Sequence, residues 1–168
     1  RNNYHQRNHI NKYLYHQADY VFWQSKFCKK ASDKFLGKRI GDGEILYNAV
    51  DTKVFKPINQ TKKIFNFLIT GNITRENNYR VSSILNAFID VIKYEPKVFL
   101  IIAGKIADRK YFFEESQRLG IINNIKFIDK FKQKDAPGIY QMADAYITIS
   151  YQDNCPSTVL EVMSCGLP

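Results

Sequence analysis

A parallel α/β sheet with helices on both faces is predicted from three observations. From residue 64 onward, strand-like and helix-like segments alternate along the chain. The strand-like runs are apolar throughout, as in Val98-Phe99-Leu100-Ile101-Ile102-Ala103, so both of their faces are covered. The segments between them repeat at helical spacing: Val81, Ile84, Leu85, Phe88 and Ile92 share one face. The 168 residues are 45% hydrophobic and 24% charged, enough to bury a core and unlike a disordered chain. No apolar run approaches the roughly 20 residues that span a bilayer.

The elements follow in order. Residues 5–16 carry no breaker and predict a helix, and Ala18-Asp19-Tyr20-Val21-Phe22-Trp23 reads as a short strand. Ser25 is placed to cap a helix that stops near Leu36-Gly37. Residues 43–48 form a second strand. The polar stretch 51–63, with Pro57, reads as a connection between two domains. Strands are then expected at 64–70, 98–103, 125–128 and 145–149. Helices are expected at 79–94, near 108–119, near 135–142 and through Leu160 to Ser164. There is no internal repeat and no low-complexity tract.

The net charge of +9 is uneven. Residues 1–63 hold 13 Lys/Arg against 5 Asp/Glu, and residues 64–168 hold 12 against 11. A local basic excess suits an anionic partner such as nucleic acid, acidic lipid or a phosphorylated substrate. A solvated lysine-rich surface is the simpler reading, because no aromatic-basic nucleic-acid motif accompanies the charge. Cys28, Cys155 and Cys165 are an odd count without a CxxC pair, which predicts reduced thiols in a cytoplasmic chain. The chain opens on Arg1 with no signal-peptide pattern and stops inside a helix-to-strand turn at Cys165-Gly166-Leu167-Pro168. It is therefore expected to be a fragment, truncated at both ends.

In such sheets ligands bind outside the carboxyl ends of the strands. Those ends are expected at Gly71-Asn72, Gly104-Lys105, Asp129-Lys130 and residues 150–156. Gly71 and Gly104 admit a ligand close to the backbone, or serve simply as turn glycines. Neither belongs to a P-loop, and no G-x-G-x-x-G occurs. The fourth end is the most informative. Asp153 lies in a loop and Glu161, eight positions on, lies in the first turns of a helix whose amino end suits a phosphate. Glu161 is placed to accept from a ribose diol, with Asp153 facing whatever the phosphate carries. Equally, Thr158-Val159-Leu160-Glu161 fits a capping box in which Glu161 satisfies only backbone donors. His5, His9 and His16 share a helix face, but with no carboxylate in step no metal is expected. Ser25 and Ser150 have no histidine within sequence reach, so a nucleophilic triad has no support.

A series of short motifs then narrows the reading. Ala18-Asp19 with Ser25, Tyr47-Asn48-Ala49-Val50-Asp51 with Phe55-Lys56-Pro57, and Ile101-Ile102-Ala103-Gly104 come first. Tyr140-Gln141-Met142-Ala143-Asp144 with Ser150, and Leu160-Glu161-Val162-Met163-Ser164-Cys165-Gly166-Leu167-Pro168, complete it. The series, from about residue 16 to the end, resembles the family 4 retaining glycosyltransferases of GT-B fold. The resemblance implies two facing Rossmann-like domains with a cleft between them. Residues 1–57 would be the tail of the acceptor domain and 58–168 the first part of the nucleotide-sugar domain. A sugar would pass from a UDP- or GDP-sugar to an acceptor hydroxyl with its anomeric configuration kept, without metal or other cofactor.

By the same resemblance, Asp153 and Glu161 occupy the two acidic positions of the E-x7-E motif and are the candidate catalytic pair. Asp153, against the donor sugar and phosphate, is a Glu→Asp departure; Glu161 would hold the ribose hydroxyls. Backbone amides of Ser157 and Thr158 would lie near the diphosphate, to which Pro156 contributes none. Gly71, Asn72 and Gly104 complete the donor-site candidates. Where the family commonly has Gly-Arg and a later Lys, this chain has Gly71-Asn72, so Arg75, Arg80 and Lys105 are the candidate substitutes.

The expected role is synthesis of a cell-surface glycan at the cytoplasmic membrane face, peripherally associated, on a glycan or lipid-linked acceptor drawn by the basic first third. The 168-residue chain alone is expected to be inactive. The missing Arg and Lys motivate an alternative, a non-catalytic GT-B-like nucleotide-binding module. A basic nucleic-acid-binding α/β domain is the other alternative, although nucleic acid is not the expected partner.

Overall fold

The computed structural model describes residues 3–59, 62–74, 78–148, 153 and 155–168. The chain forms two compact units: Arg1–Ala49 with Gln152–Ser157, and Val50–Tyr151 with Thr158–Pro168.

The first unit contains α1 (Asn3–Gln17), β1 (Tyr20–Trp23), α2 (Lys26–Leu36) and β2 (Asp42–Ile45). The two strands are parallel, with Tyr20 opposite Asp42 and Trp23 opposite Ile45. A helix must therefore carry the chain back between them, and α2 does so. Ser25 caps α2 as expected: its hydroxyl accepts from the Cys28 amide at 3.0 Å. Gly37 ends the helix at φ 93°. Arg39 donates to the carbonyls of Tyr15, Ala18 and Asp42, joining the end of α1 to the start of β2. Trp23 is buried over Gly43, where a Cβ would lie 2.6 Å from the indole.

The second unit is a four-stranded parallel sheet in the order β5-β4-β3-β6. Its strands are β3 (Phe65–Ile73), β4 (Val98–Ile106), β5 (Ile125–Ile128) and β6 (Ala145–Tyr146). The chain starts at β3, steps outward through β4 to β5, and returns past β3 to β6. Right-handed crossovers then put the outward helices on one face and the return helices on the other. Accordingly α3 (Asn78–Tyr94) and α4 (Arg109–Arg118) cover one face, and α5 (Ala136–Tyr140) and α6 (Ser157–Ser164) cover the other. The two cores follow the strand period. Ile69, Leu100 and Ile102 pack with Val81, Leu85, Phe88 and Phe112, whereas Leu68, Ile101 and Ala103 pack with Tyr140 and Val162. The fold is thus the doubly wound α/β type that the sequence predicts.

Three differences from the expected elements have physical causes. The stretch after residue 50 is not an extended connection. Asp51 closes a turn by accepting from Lys53 N through its side chain and from Phe55 N through its carbonyl, and buried Phe55 stacks on Tyr140. Consequently the compact units divide between Ala49 and Val50, at the start of the polar stretch that composition marks as a connection. Second, β3 and β4 continue through Gly71 and Gly104 to Ile73 and Ile106, so these glycines are strand residues. Third, α6 begins at Ser157, which puts Val159 at the third helical position; Glu161 stands two residues too late to close a capping box.

Candidate functional site

The winding of the second sheet reverses between β3 and β6, and ligands of open α/β sheets bind at the carboxyl ends beside that reversal. The connections leaving β5 and β6 supply a polar cluster there, centred on Glu161. Glu161 Oε2 accepts from the Tyr140 hydroxyl at 2.7 Å, and Oε1 accepts from Gln133 Nε2 at 2.7 Å. Gln133 stands in a 3-10 turn after β5, Tyr140 ends α5, and Glu161 lies in the second turn of α6. Beside them Thr70 Oγ1 and the Tyr146 hydroxyl share a hydrogen bond of 3.0 Å, joining β3 to β6.

The cluster is electrostatically coupled. Burial, then the hydrogen bond and charge of Glu161, push the Tyr140 hydroxyl far above the ordinary tyrosine range. Burial raises Tyr146, opposed by its bond to Thr70 and helped by Glu161. Burial also raises the Cys165 thiol, again with help from Glu161. One carboxylate therefore acts on three neutral groups, which remain neutral around it.

At the carboxyl ends of the inner strands, Gly71 pairs with Gly104 and Asn72 with Lys105. Gly104 has φ +128°, and a Cβ there would lie 2.2 Å from the Gly71 carbonyl oxygen. The pair of backbones can approach only because that position is glycine. Lys105 is exposed. Residues paired in register have side chains on the same face, so Lys105 presents its charge beside Asn72. Arg80 is in the first turn of α3, where Nε donates to its neighbour's hydroxyl, Tyr79, at 3.1 Å. Arg75, Ile149, Ser150 and Asn154 lie outside the described residues.

The remaining candidates belong to the first unit or to the start of α6. Asp153 is exposed and accepts from the Cys155 amide at 3.2 Å through Oδ1. Ser157 and Thr158 open α6. Asn48 donates through Nδ2 to the Cys155 carbonyl at 2.7 Å and to Ser157 Oγ at 3.2 Å. The sequence reading used Asn48 only as part of a motif, and missed Tyr140 and Gln133 as partners of Glu161. Tyr140 was legible in the Tyr140-Gln141-Met142-Ala143-Asp144 string; Gln133 carried no signal.

A pocket of about 610 Å³ lies elsewhere in the second unit, lined by Lys62, Lys63, Phe99, Ile101, Lys126 and Met142 among others. It sits at the amino ends of the strands, the wrong end for ligand chemistry in a parallel sheet. Among the described residues no group of three His, Cys, Asp or Glu is arranged to hold a metal ion, and the cysteines are unpaired. No described helix is long and apolar enough to cross a membrane.

Residues 51–168 match the family model described as glycosyl transferases group 1. The chain belongs to that family. Over 101 residues it is 31% identical to alpha-monoglucosyldiacylglycerol synthase of Streptococcus pneumoniae (strain ATCC BAA-255 / R6), covering 60% of this chain and 22% of that protein. The structure is similar to sucrose-phosphate synthase from Thermosynechococcus elongatus, with TM-score 0.78 and 17% identity over 98% of this chain and 43% of that one. It is also similar to the pneumococcal O-GlcNAc transferase GtfA in complex with UDP and GlcNAc, with TM-score 0.76 and 17% identity over 99% and 32%. At that identity the structural likenesses establish the fold, which is of the GT-B glycosyltransferase type. The chain spans less than half the length of each of these proteins.

Proposed function

We propose that this chain is part of a retaining glycosyltransferase that moves a sugar from a UDP- or GDP-sugar to an acceptor hydroxyl. The observation that carries the proposal is Glu161. Its carboxylate stands at the sheet's reversal point, held by two donors, in a chain whose family is shown. Glu161 would accept from the ribose hydroxyls, the amino end of α6 would receive the diphosphate through the Ser157 and Thr158 amides, and Asp153 would face the donor sugar. Leaving-group stabilisation demands a cation near the diphosphate. Lys105 is the favoured residue, since it flanks Asn72 on the paired strand while Arg80 engages Tyr79. A metal or other cofactor is not required by this scheme. The UDP and GlcNAc found with GtfA and the glucosyl lipid named for the pneumococcal synthase support a nucleotide-sugar donor and a glycan or lipid-linked acceptor. Cell-surface glycan synthesis at the cytoplasmic side of the membrane, with peripheral association, is the corresponding role. Val50–Tyr151 with Thr158–Pro168 would then be the donor-binding unit and Arg1–Ala49 part of the acceptor-binding one.

Calorimetric titration of the natural full-length polypeptide with UDP, GDP and ADP tests the proposal. Binding of one nucleotide, weakened at least about tenfold by Glu161→Ala, is expected; tenfold is about 1.4 kcal/mol, the scale of a lost charged hydrogen bond. A folded protein that binds none of the three refutes it. The substitution of Asn72 for the usual arginine favours one second reading, a nucleotide-binding module without turnover. Nucleotide binding without release of nucleoside diphosphate from any donor sugar would establish that reading instead.

A further inference from the structure

The two tethers on Glu161 have a consequence for recognition. Glutamate is a long, flexible side chain, and immobilising it on a ligand costs rotamer entropy. Here that freedom is already restricted. Tyr140 is only 3% exposed, and its ring stacks on Phe55 with centroids 6.0 Å apart, so its hydroxyl has a fixed position. Because Tyr140 stays protonated, it can act toward the carboxylate only as a donor. Gln133, earlier in the same connection between β5 and β6, reaches the other oxygen.

The arithmetic of acceptor sites is specific. An ionised carboxylate offers about four lone-pair positions, two on each oxygen. Tyr140 takes one on Oε2 and Gln133 one on Oε1, which fixes the plane of the group. Counting donors among the described residues, one acceptor position is left on each oxygen. Two adjacent hydroxyls of a vicinal diol match such a pair, each donating to one oxygen. A carboxylate with one oxygen tethered would be free to turn and would present its remaining lone pairs in many directions. The arrangement also leaves Glu161 partly exposed, so the carboxylate is not sealed within the core.

We infer that Tyr140, with Gln133 as a second tether, is a positioning residue that presents the Glu161 carboxylate to the vicinal diol of a nucleotide ribose. The inference rests on the nucleotide-binding reading above, and it adds residues to which neither the family match nor the sequence motifs assign a role. Tyr140 touches no substrate in this scheme; it acts through Glu161.

The test compares two ligands on the natural full-length polypeptide. One is the nucleoside diphosphate that the wild type binds best among UDP, GDP and ADP; the other is its 2′,3′-dideoxy analogue, which lacks the diol. Binding constants are measured for wild type, Glu161→Gln, Tyr140→Phe, Gln133→Ala and the Tyr140→Phe/Glu161→Gln double variant. Tyr140→Phe keeps the ring and its packing on Phe55, and removes only the hydroxyl. The expected result is selective. Glu161→Gln and Tyr140→Phe each weaken the ribonucleotide at least about threefold and leave the dideoxy analogue within about twofold. The double variant is no weaker than Glu161→Gln alone, because both changes break one chain of contacts. Gln133→Ala, at an exposed position, shows the same selectivity at smaller size.

The failures are distinguishable. If no nucleotide binds, or Glu161→Gln does not separate the two ligands, the ribose role of Glu161 falls and the inference falls with it. If Glu161→Gln separates them and Tyr140→Phe does not, the nucleotide reading stands and the inference is overturned. Equal weakening of both ligands by Tyr140→Phe is what a purely structural role gives, and also overturns it. Should Tyr140→Phe not fold, Gln133→Ala decides: selective loss supports the tether, and unselective loss or no loss refutes it.

Discussion

Asn48 donates to the Cys155 carbonyl across 2.7 Å, although 107 positions separate them in the chain. The same amide nitrogen reaches Ser157 Oγ at 3.2 Å, so one short side chain holds the backbone where α6 begins. A helix start has amides without helical partners, and their direction depends on how the preceding residues are held. Replacing Asn48 by Ala leaves the Cys155 carbonyl without this donor, at a cost of about 1 kcal/mol. Hydrogen exchange followed by mass spectrometry should show roughly fivefold to tenfold faster exchange in peptides covering 155–160 and little change in β4. Unchanged exchange there means that Asn48 is not what holds this turn.

Asp144 should matter for stability more than its partial exposure suggests. Its Oδ2 accepts from the Asn66 amide at 2.8 Å, and its own amide donates to the Asn66 carbonyl at 2.8 Å. Oδ1 also pairs with Lys62 Nζ at 3.2 Å, both side chains being largely sheltered. Asp144→Ala therefore leaves a backbone amide and an ammonium group short of an acceptor at the start of β3. A loss of about 2 kcal/mol is expected by urea unfolding, and Lys62→Ala should cost less. An Asp144→Ala protein with a wild-type midpoint would contradict this assignment.

Gly104→Ala is expected to be among the most damaging single-methyl additions in the second unit. The new Cβ would lie 2.2 Å from the Gly71 carbonyl oxygen, and the backbone there is at φ +128°. The two central strands would have to separate, at a cost of about 3 kcal/mol or more. Gly120→Ala is the control: its φ of +72° also disfavours a side chain, but no atom lies within 4 Å of the added methyl. Thermal unfolding of the two variants should differ clearly, and equal losses would show that backbone strain alone decides.

Tyr140 and Tyr146 give the fold an alkaline limit. Both hydroxyls are raised above the ordinary value near 10, so the folded state prefers the neutral phenol. Their contribution is complete below about pH 10, where unfolded tyrosine is also neutral. It declines as pH rises further, by up to about 1.4 kcal/mol per pH unit for each group. Urea midpoints measured between pH 8 and 11 should fall above pH 10, and Tyr140→Phe should flatten that fall. If the slope is the same in Tyr140→Phe, Tyr140 is not a source of the limit.

Much of this protein was legible from residue order, since periodicity and capping are local. Val98-Phe99-Leu100-Ile101-Ile102-Ala103 announces a strand covered on both faces, and Ser25 announces the start of α2, because each signal depends on neighbours within a few positions. The serial order of motifs was enough to indicate the family, and Glu161 as the residue to examine. What the order left undecided was every relationship set by long-range packing. Composition marked Asp51 onward as a polar connection; the burial of Phe55 against Tyr140 brought that stretch into the second unit. Local spacing allowed Glu161 to be a capping residue. Only the tertiary structure, by carrying Gln133 and Tyr140 to its two oxygens from 28 and 21 positions away, decided which donors it satisfies. Gly104 likewise reads as a turn until β3 is laid beside β4. A sequence records which groups can donate, accept or pack, and the sheet's winding decides which of them meet.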